Sequence, residues 1–132
     1  IIRLLQSKAR SVIMQRDNGP GHERLRFIIR YIQENLGRNL SVDELSEEAC
    51  MSKPHFFRCF KHTFGVSPVE FINQKRIAMA KELLLTTQKS LTEICYEAGF
   101  NNTSYFSRLF KRYENMSPSR FRKQGLNQHQ RS

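Results

Sequence analysis

The spacing of apolar residues predicts a chain built from amphipathic helices. Two stretches place apolar side chains three and four positions apart, the spacing that puts them on one face of an α-helix. They are Phe56, Cys59, Phe60 and Phe64 in the first stretch, and Phe106, Leu109, Phe110 and Tyr113 in the second. A Phe-rich stripe with this period is typical of a helix face buried in a core. We therefore expect two helices that pack through these faces.

Two further helices are predicted around the Phe-rich ones. The first starts near His22, after the break at 18–21, and its apolar positions are Leu25, Ile28, Ile29, Ile32 and Leu36. The second spans about 67–87 and would be about 30 Å long at about 1.5 Å per residue. Its core-facing positions are Val69, Ile72, Ile77, Ala80 and Leu84, and its water-facing positions are Gln74, Lys75, Arg76 and Lys81.

Four helix starts are marked by a serine. In three of them a Glu follows three residues later, a capping box in which the Ser oxygen accepts a hydrogen bond from the third helical N–H. In two, a Pro at the first helical position removes an N–H that has no helical partner. The boxes begin at Ser41, Ser67 and Ser90, and Pro follows Ser67 and Ser117.

The chain contains the same unit twice. Residues 42–51 align with 91–100 at an offset of 49, and from Phe56 onward the offset is 50, which pairs it with Phe106. Each copy has a short helix, a tight turn and a longer helix, which is a helix-turn-helix. In the turns, Gly99 can adopt positive φ without strain, and Ser52 or Asn102 can cap the next helix. We therefore predict two helix-turn-helix units.

Positive charge is concentrated rather than spread. The chain has 22 Lys and Arg against 12 Asp and Glu, a net charge of +10. Between Ala49 and Val69, between Ala98 and Tyr113, and after Glu114 there is no acidic residue, although each stretch carries Lys and Arg. Such stretches favour a polyanionic partner over a uniformly charged soluble surface.

Other features narrow the class of protein. No apolar run is long enough for a membrane span, and the three widely spaced cysteines favour a reducing compartment, so we expect a cytoplasmic protein. The first residue is Ile rather than Met, which predicts a longer parent protein. The 132 residues, 39% of them apolar and 14 of them Phe or Tyr, are sufficient for a folded core.

The outward faces of the two Phe-rich helices suit the major groove of DNA, which admits an α-helix and presents base edges to Arg and small polar side chains. Arg58 and Arg108, equivalent in the repeat, are the best candidates to contact guanine. Phe57 has two interpretations, contact with thymine methyl groups or packing against its neighbours. The predicted DNA-binding residues are Lys53, Pro54, Phe57, Arg58, Lys61, Asn102, Thr103, Ser104, Ser107, Arg108, Lys111 and Arg112.

The stretch GFNNTSYFSRLFKR at 99–112 is followed by MSPSRFR at 116–122. On this motif, about residues 22–124 resemble the AraC/XylS class of bacterial transcription regulators. The resemblance implies seven helices, two helix-turn-helix subdomains joined by a long helix, asymmetric promoter sites, and a separate N-terminal ligand-sensing or dimerising domain. It places the reading positions on Lys53, Pro54, Phe57 and Arg58 and on Thr103, Ser104, Ser107 and Arg108. Departures are Ser46 where Ala is common, and Cys50 and Asn115 where Gly is common.

The predicted fold is all-α, with the units joined by a connector helix. The predicted segments are a linker or the tail of a missing N-terminal domain (1–21), a first subdomain with the connector (22–87), a second subdomain (88–124) and a polar tail (125–132). The connector is nearly as long as the roughly 34 Å repeat of DNA, so the two reading helices would enter successive major grooves. The expected function is sequence-specific binding of double-stranded promoter DNA to regulate transcription, with RNA polymerase as a further candidate partner.

Two rival classes are less well supported. His55, Cys59 and His62 lie on one helical face and could in principle hold zinc, but no fourth ligand is evident. There is no Gly-rich phosphate loop and no carboxylate pair with a nearby His, so we expect neither a cofactor nor an enzyme. A membrane-surface or protein-docking module would carry its charge along all polar faces, whereas here it is confined to the repeat-equivalent helices.

Overall fold

The computed structural model describes residues 20–131, with side chains described for residues 22–126. This part of the chain is all-α. It forms seven helices: α1 Pro20–Glu34, α2 Val42–Glu48, α3 Lys53–Phe64, α4 Pro68–Thr86, α5 Leu91–Glu97, α6 Thr103–Glu114 and α7 Pro118–Arg131. The predicted fold class is confirmed. The predicted linker at 1–21 lies outside the described residues, except that α1 begins at Pro20, two residues before the predicted start.

The predicted helix caps are present. The hydroxyl oxygens of Ser41, Ser67 and Ser90 each accept a hydrogen bond from the N–H of the residue three positions later, at 3.0 to 3.1 Å. Ser117 accepts one from the N–H of Arg120 at 3.2 Å. Each bond satisfies an N–H that has no partner within the helix. The positions at which α2, α4, α5 and α7 begin are therefore encoded locally.

The chain divides into two compact units, and the first consists of residues up to 35 together with 39–72. The ring of Phe60, fully buried, contacts the rings of Phe64 and Phe71 at centroid distances of 4.6 and 5.5 Å. Tyr31 of α1 donates a hydrogen bond to the carboxylate of Glu44 on α2. The other buried apolar side chains of this unit include Leu25, Ile28, Ile32, Leu45, Ala49, Phe56 and Ile72.

The second unit consists of residues 36–38 together with 73–132. The ring of Phe110 contacts those of Phe106 and Phe121 at 5.9 and 5.5 Å. The buried cluster also contains Ile77, Ala80, Leu84, Ile94, Cys95, Ala98, Phe100 and Leu109. Each unit therefore has its own core, built on the Phe stripe of α3 in the first unit and of α6 in the second, as the periodicity predicts.

The two units divide inside α4, after Ile72, whereas the sequence-based division assigns the whole connector to the first subdomain. The physical reason is that Ile77, Ala80 and Leu84 are buried in the core of the second unit. The prediction that Val69 faces a core is wrong, because its side chain is 51% exposed. Arg76, predicted to face water, is half-buried and donates hydrogen bonds within the second unit.

Helix α7 continues through most of the segment for which the sequence predicts a polar tail after residue 124. Gly125 lies against Leu85 of α4, so close that a Cβ at this position would lie 2.1 Å from the Leu85 Cδ2 atom. The missing side chain allows the two helices to approach closely. This contact keeps the helix packed beyond the predicted boundary.

Two residues in the helix-turn-helix turns have left-handed backbone. Gly99, between α5 and α6, has φ of 98°, and Cys50, between α2 and α3, has φ of 57°. The value for Gly99 confirms the prediction. Cys50 adopts a conformation that costs a residue with a side chain about 1 to 2 kcal/mol. Asn115, which ends α6, has φ of 61° and shares this region.

Within the described residues, no helix combines the length and apolar character that a transmembrane segment requires.

Candidate nucleic-acid interface

Helix α3 presents its predicted polar face to solvent. Ser52 caps the helix by accepting a hydrogen bond from the N–H of His55 at 3.3 Å, and Pro54 lies in the first turn, where a missing N–H is tolerated. Phe56 and Phe60 are fully buried, which turns the opposite side outward. All five predicted residues of this helix are exposed: Lys53, Pro54, Phe57, Arg58 and Lys61.

The five exposed residues differ in the charge they can offer. The Nζ atom of Lys53 lies 2.6 Å from the Oδ1 atom of Asp43 on α2, so part of its charge is compensated. Among the described residues, neither Arg58 nor Lys61 has an ion-pair partner. Phe57 is 41% exposed, so part of its ring is accessible to a partner. Arg58 and Lys61 are therefore the available cations of the first reading face.

Helix α6 presents the second face. Asn102 caps the helix with its Oδ1 atom, which accepts a hydrogen bond from the N–H of Tyr105 at 2.9 Å. Phe106, Leu109 and Phe110 are buried, and the predicted residues of the opposite side are all exposed. These are Asn102, Thr103, Ser104, Ser107, Arg108, Lys111 and Arg112. Among the described residues, none of the three cations has an ion-pair partner.

The sequence-based site omits three exposed residues beside these faces. Tyr105 is 41% exposed, and its hydroxyl oxygen accepts a hydrogen bond from the Asn73 Nδ2 atom at 3.1 Å. His55 and His62 are exposed on α3. At the repeat offset of 50, His62 is equivalent to the predicted residue Arg112, so the alignment of the two copies could have found it. His55 is equivalent to Tyr105, which the prediction also omits, so the alignment gives no signal for either.

The alternative zinc site is not supported by the geometry. The Cys59 sulfur lies 3.6 Å from the His55 Nε2 atom, within reach of a weak hydrogen bond. No group of three or more His, Cys, Asp and Glu side chains in the described part of the chain could hold a metal ion. His55 and Cys59 therefore form a side-chain pair on α3.

Each helix-turn-helix unit has a buried core and capped helices, and each exposes a helix face with Arg and Lys that have no ion-pair partner among the described residues. These features define a class of protein, the helix-turn-helix DNA-binding domains. The family described as "Helix-turn-helix domain" matches residues 45–124. The chain belongs to the AraC/XylS family of transcription regulators, of which it contains the helix-turn-helix region.

Curated relatives are mostly transcriptional regulators. The chain is 36% identical over 101 residues to the probable transcriptional regulator LumQ of Photobacterium leiognathi, covering 75% of this chain and 41% of LumQ. It is 35% identical over 103 residues to the bifunctional transcriptional activator/DNA repair enzyme AdaA of Bacillus subtilis, covering 78% of this chain and 49% of AdaA. The chain thus spans less than half the length of these relatives.

Solved structures show the same fold. The DNA-binding domain of AdpA, a global transcriptional factor crystallised with a target DNA, superposes with a TM-score of 0.78 at 25% identity, covering 82% of this chain and 97% of that one. This agreement covers nearly the entire AdpA domain, and that domain is one that binds DNA.

Proposed function

We propose that this domain binds double-stranded DNA sequence-specifically through the exposed faces of α3 and α6 and thereby regulates transcription. One observation carries the proposal. Arg58 and Arg108, equivalent in the repeat, are both exposed opposite buried Phe pairs, and neither has an ion-pair partner in the described part of the chain. An unpaired guanidinium on an exposed helix face is suited to bidentate contact with the O6 and N7 atoms of guanine.

The remaining residues divide by chemistry. Lys61, Lys111 and Arg112 carry charges that neutralise backbone phosphates, and Lys53 contributes less because it is paired with Asp43. Thr103, Ser104 and Ser107 offer hydroxyl groups to base edges or a methyl contact to thymine. Asn102 acts first as the helix cap, so its role is to fix the start of the reading helix. Pro54 adds apolar contact, and so does Phe57 in the interpretation in which its ring meets thymine methyl groups.

We infer that α3 and α6 read two segments of major groove about one helical turn apart on one duplex. A single helix of 19 residues, about 28 Å long, connects the two units, and the helical repeat of DNA is roughly 34 Å. The target would then have two parts, centred about ten base pairs apart. The two parts would differ in sequence, because the outward side chains of α3 and α6 differ.

We propose a binding function rather than catalysis for this chain. AdaA combines a transcriptional activator with a DNA repair enzyme, and this chain corresponds to 49% of its length. The side chains that the chain shares between its two copies are helix caps, core Phe residues and exposed cations, which suit binding to a duplex. An N-terminal effector or dimerisation domain, contact with RNA polymerase and a cytoplasmic location complete the proposal for the whole protein.

Selection of bound duplexes from a random pool tests this function. We expect a motif of two parts about ten base pairs apart. Arg58→Ala should relax base preference in one part and Arg108→Ala in the other, each at a cost of about 1 to 3 kcal/mol. Lys111→Ala is the matched control, because loss of a phosphate contact should weaken all sequences alike.

Salt dependence gives a second measurement. If about six phosphates are neutralised, log K should fall against log salt with a slope of about −5. A flat salt response, or a selected pool without a shared motif, would contradict the proposed function.

A further inference from the structure

The first two turns of α7 carry two exposed cations, and the first of them, Arg120, lies in the first turn, where helix energetics favours anions. Arg120 and Lys123 are both exposed, lie three residues apart and so share one face of the helix. We propose that this pair, the α7 basic face, binds backbone phosphates of the duplex beside the bases that α6 reads. The inference rests on the proposed function and assigns to it a binding surface outside both reading helices.

Local energetics does not account for Arg120. The N-terminus of a helix carries partial positive charge, so a nearby cation destabilises the helix and a nearby anion stabilises it. In the first copy of the repeat the equivalent residue is Glu70, whose N–H is capped by Ser67 as the N–H of Arg120 is capped by Ser117. Two like charges three apart repel as well. The same Ser-Pro helix start therefore carries a favourable negative charge, Glu70, in α4 and an unfavourable positive charge, Arg120, in α7.

No carboxylate offsets these charges. From Gly99 to the end of the sequence Glu114 is the single acidic residue. Its Oε1 atom lies 2.9 Å from the Nζ atom of Lys81, so it is already paired. Within the described residues, Arg120 and Lys123 have no ion-pair partner. Their charges remain available to a polyanion.

The α7 basic face adjoins the reading helix along the chain. Helix α6 ends with the exposed cations Lys111 and Arg112, and three residues separate α6 from α7. The two helices pack through Phe110 and Phe121, whose ring centroids lie 5.5 Å apart. Exposed cations of α6 and α7 therefore belong to one packed pair of helices. Because α6 is the helix proposed to contact DNA, the same duplex is a better candidate partner for the α7 cations than an acidic protein is.

Arg122, between the two proposed residues, has a different role. Its Nε atom donates a hydrogen bond to the carbonyl oxygen of Leu84 at 3.1 Å, and its Nη2 atom donates one to that of Thr87 at 3.2 Å. These bonds satisfy carbonyl groups at the C-terminal end of α4. Arg122 is a structural residue, so the basic face consists of Arg120 and Lys123.

Binding measured at several salt concentrations tests the inference on the selected duplex. Arg120→Gln and Lys123→Gln should each reduce the salt slope by about 1 and leave the selected base sequence unchanged. Between 50 and 200 mM salt, the advantage of the unsubstituted domain over each variant should then fall by roughly 3.5-fold. Arg30→Gln, which removes the same charge from an exposed position on α1, is the matched control and should leave the slope unchanged.

Arg120→Glu separates a binding role from a structural one. Because Glu at the equivalent position of α4 suits the helix N-terminus, this variant should unfold at an equal or higher urea concentration while its affinity for DNA falls further than that of Arg120→Gln. Slopes that stay unchanged in both Gln variants, with Arg108→Ala still relaxing base preference, would overturn the α7 basic face alone. Failure of the unsubstituted domain to bind any duplex would remove the proposed function as well.

Discussion

The Nε atom of Arg76 donates a hydrogen bond to the carbonyl oxygen of Leu36 at 3.2 Å, across forty positions of sequence. The Nη2 atom of the same guanidinium donates one to the carbonyl oxygen of Arg38 at 2.7 Å. Burial lowers the pKa of Arg76 below its ordinary value, because desolvation disfavours the charged form, while Tyr105 acts in the opposite direction. One side chain thus satisfies two backbone carbonyl groups of segment 36–38 within the second unit.

Arg76→Met should therefore destabilise the domain. The substitution keeps much of the apolar stem but leaves two carbonyl oxygens without their donor, at a cost of about 1 to 3 kcal/mol. Urea unfolding followed by circular dichroism measures the change. Arg108→Met, at an exposed Arg without an ion pair, is the control and should change stability by no more than about 0.5 kcal/mol. Equal effects of the two substitutions would show that the Arg76 hydrogen bonds contribute nothing net.

Gly99 allows no side chain. A Cβ there would lie 2.0 Å from the carbonyl oxygen of Leu36 and 2.7 Å from the Arg76 Nε atom, and its φ is 98°. Gly99→Ala should cost about 1 to 2 kcal/mol from backbone strain and a further 1 to 3 kcal/mol, roughly, from overpacking. A midpoint of urea unfolding within error of the original protein would contradict this geometry.

Cys50 offers the opposite experiment at the matching turn of the first copy. Its φ of 57° is strained for a residue with a Cβ, so Cys50→Gly should relieve about 1 to 2 kcal/mol, offset by roughly 0.4 to 1 kcal/mol of added freedom in the unfolded chain. We expect a net gain of up to about 1.6 kcal/mol in urea unfolding. Cys50→Ala keeps the Cβ and should give no gain. A gain in Cys50→Ala as large as that in Cys50→Gly would place the cause in the thiol group rather than the backbone.

Local signals in the sequence were sufficient for most of the fold. A capping Ser acts within one helical turn, so the starts of α2 and α5 could be predicted from the sequence. Apolar residues at helical spacing act over one or two turns, so the buried sides of α3 and α6 could be predicted as well. The burial of Arg76 depends on carbonyl groups nearly forty residues away, and the length of α7 depends on Leu85 meeting Gly125. Both features depend on residues that are distant in the sequence, so the periodicity of apolar residues cannot predict them.

The candidate site also has features that the local sequence predicts and features that depend on tertiary contacts. Which side of a reading helix faces solvent follows from which side is buried, so the exposure of Arg58 and Arg108 could be predicted. The ion pair between Lys53 and Asp43 could not, because it joins two helices. Whether these side chains contact DNA remains a prediction. Tyr105 was missed since its tie to Asn73 depends on the packing of α4 against α6.

Phe57 should contribute to DNA affinity without contributing to salt dependence. If its exposed ring presses on thymine methyl groups, Phe57→Ala should cost about 1 kcal/mol for roughly 40 Å² of lost apolar contact. The salt slope should stay unchanged, because no counterion is released by an apolar contact. Leu126→Ala, at an exposed apolar residue of α7, is the control. Equal affinity of Phe57→Ala and the original domain for the selected duplex would favour the other interpretation, in which the ring packs against its neighbours.

Cys95 should make the stability of the domain fall at alkaline pH. Its side chain is fully buried, and burial raises the pKa of the thiol above its ordinary value, partly offset by a backbone hydrogen bond from Asn102. The neutral thiol persists in the folded state at a pH where the unfolded chain already forms the thiolate, so unfolding releases a proton. The stabilising contribution is therefore fully present below the unfolded thiol pKa, about 8.5, and is lost as pH rises above it.

Urea unfolding at pH 7.5, 9 and 10 measures this loss. Cys95→Ala should be less stable than the original protein at pH 7.5, because it leaves a small cavity, but it should lose less stability between pH 7.5 and 10. Cys50→Ala, which removes an exposed thiol, controls for the general effect of losing a cysteine and should follow the pH dependence of the original protein. Parallel curves for the original protein and Cys95→Ala would show that the thiol ionises equally readily in the folded and unfolded chains, and the alkaline loss would then belong to other groups.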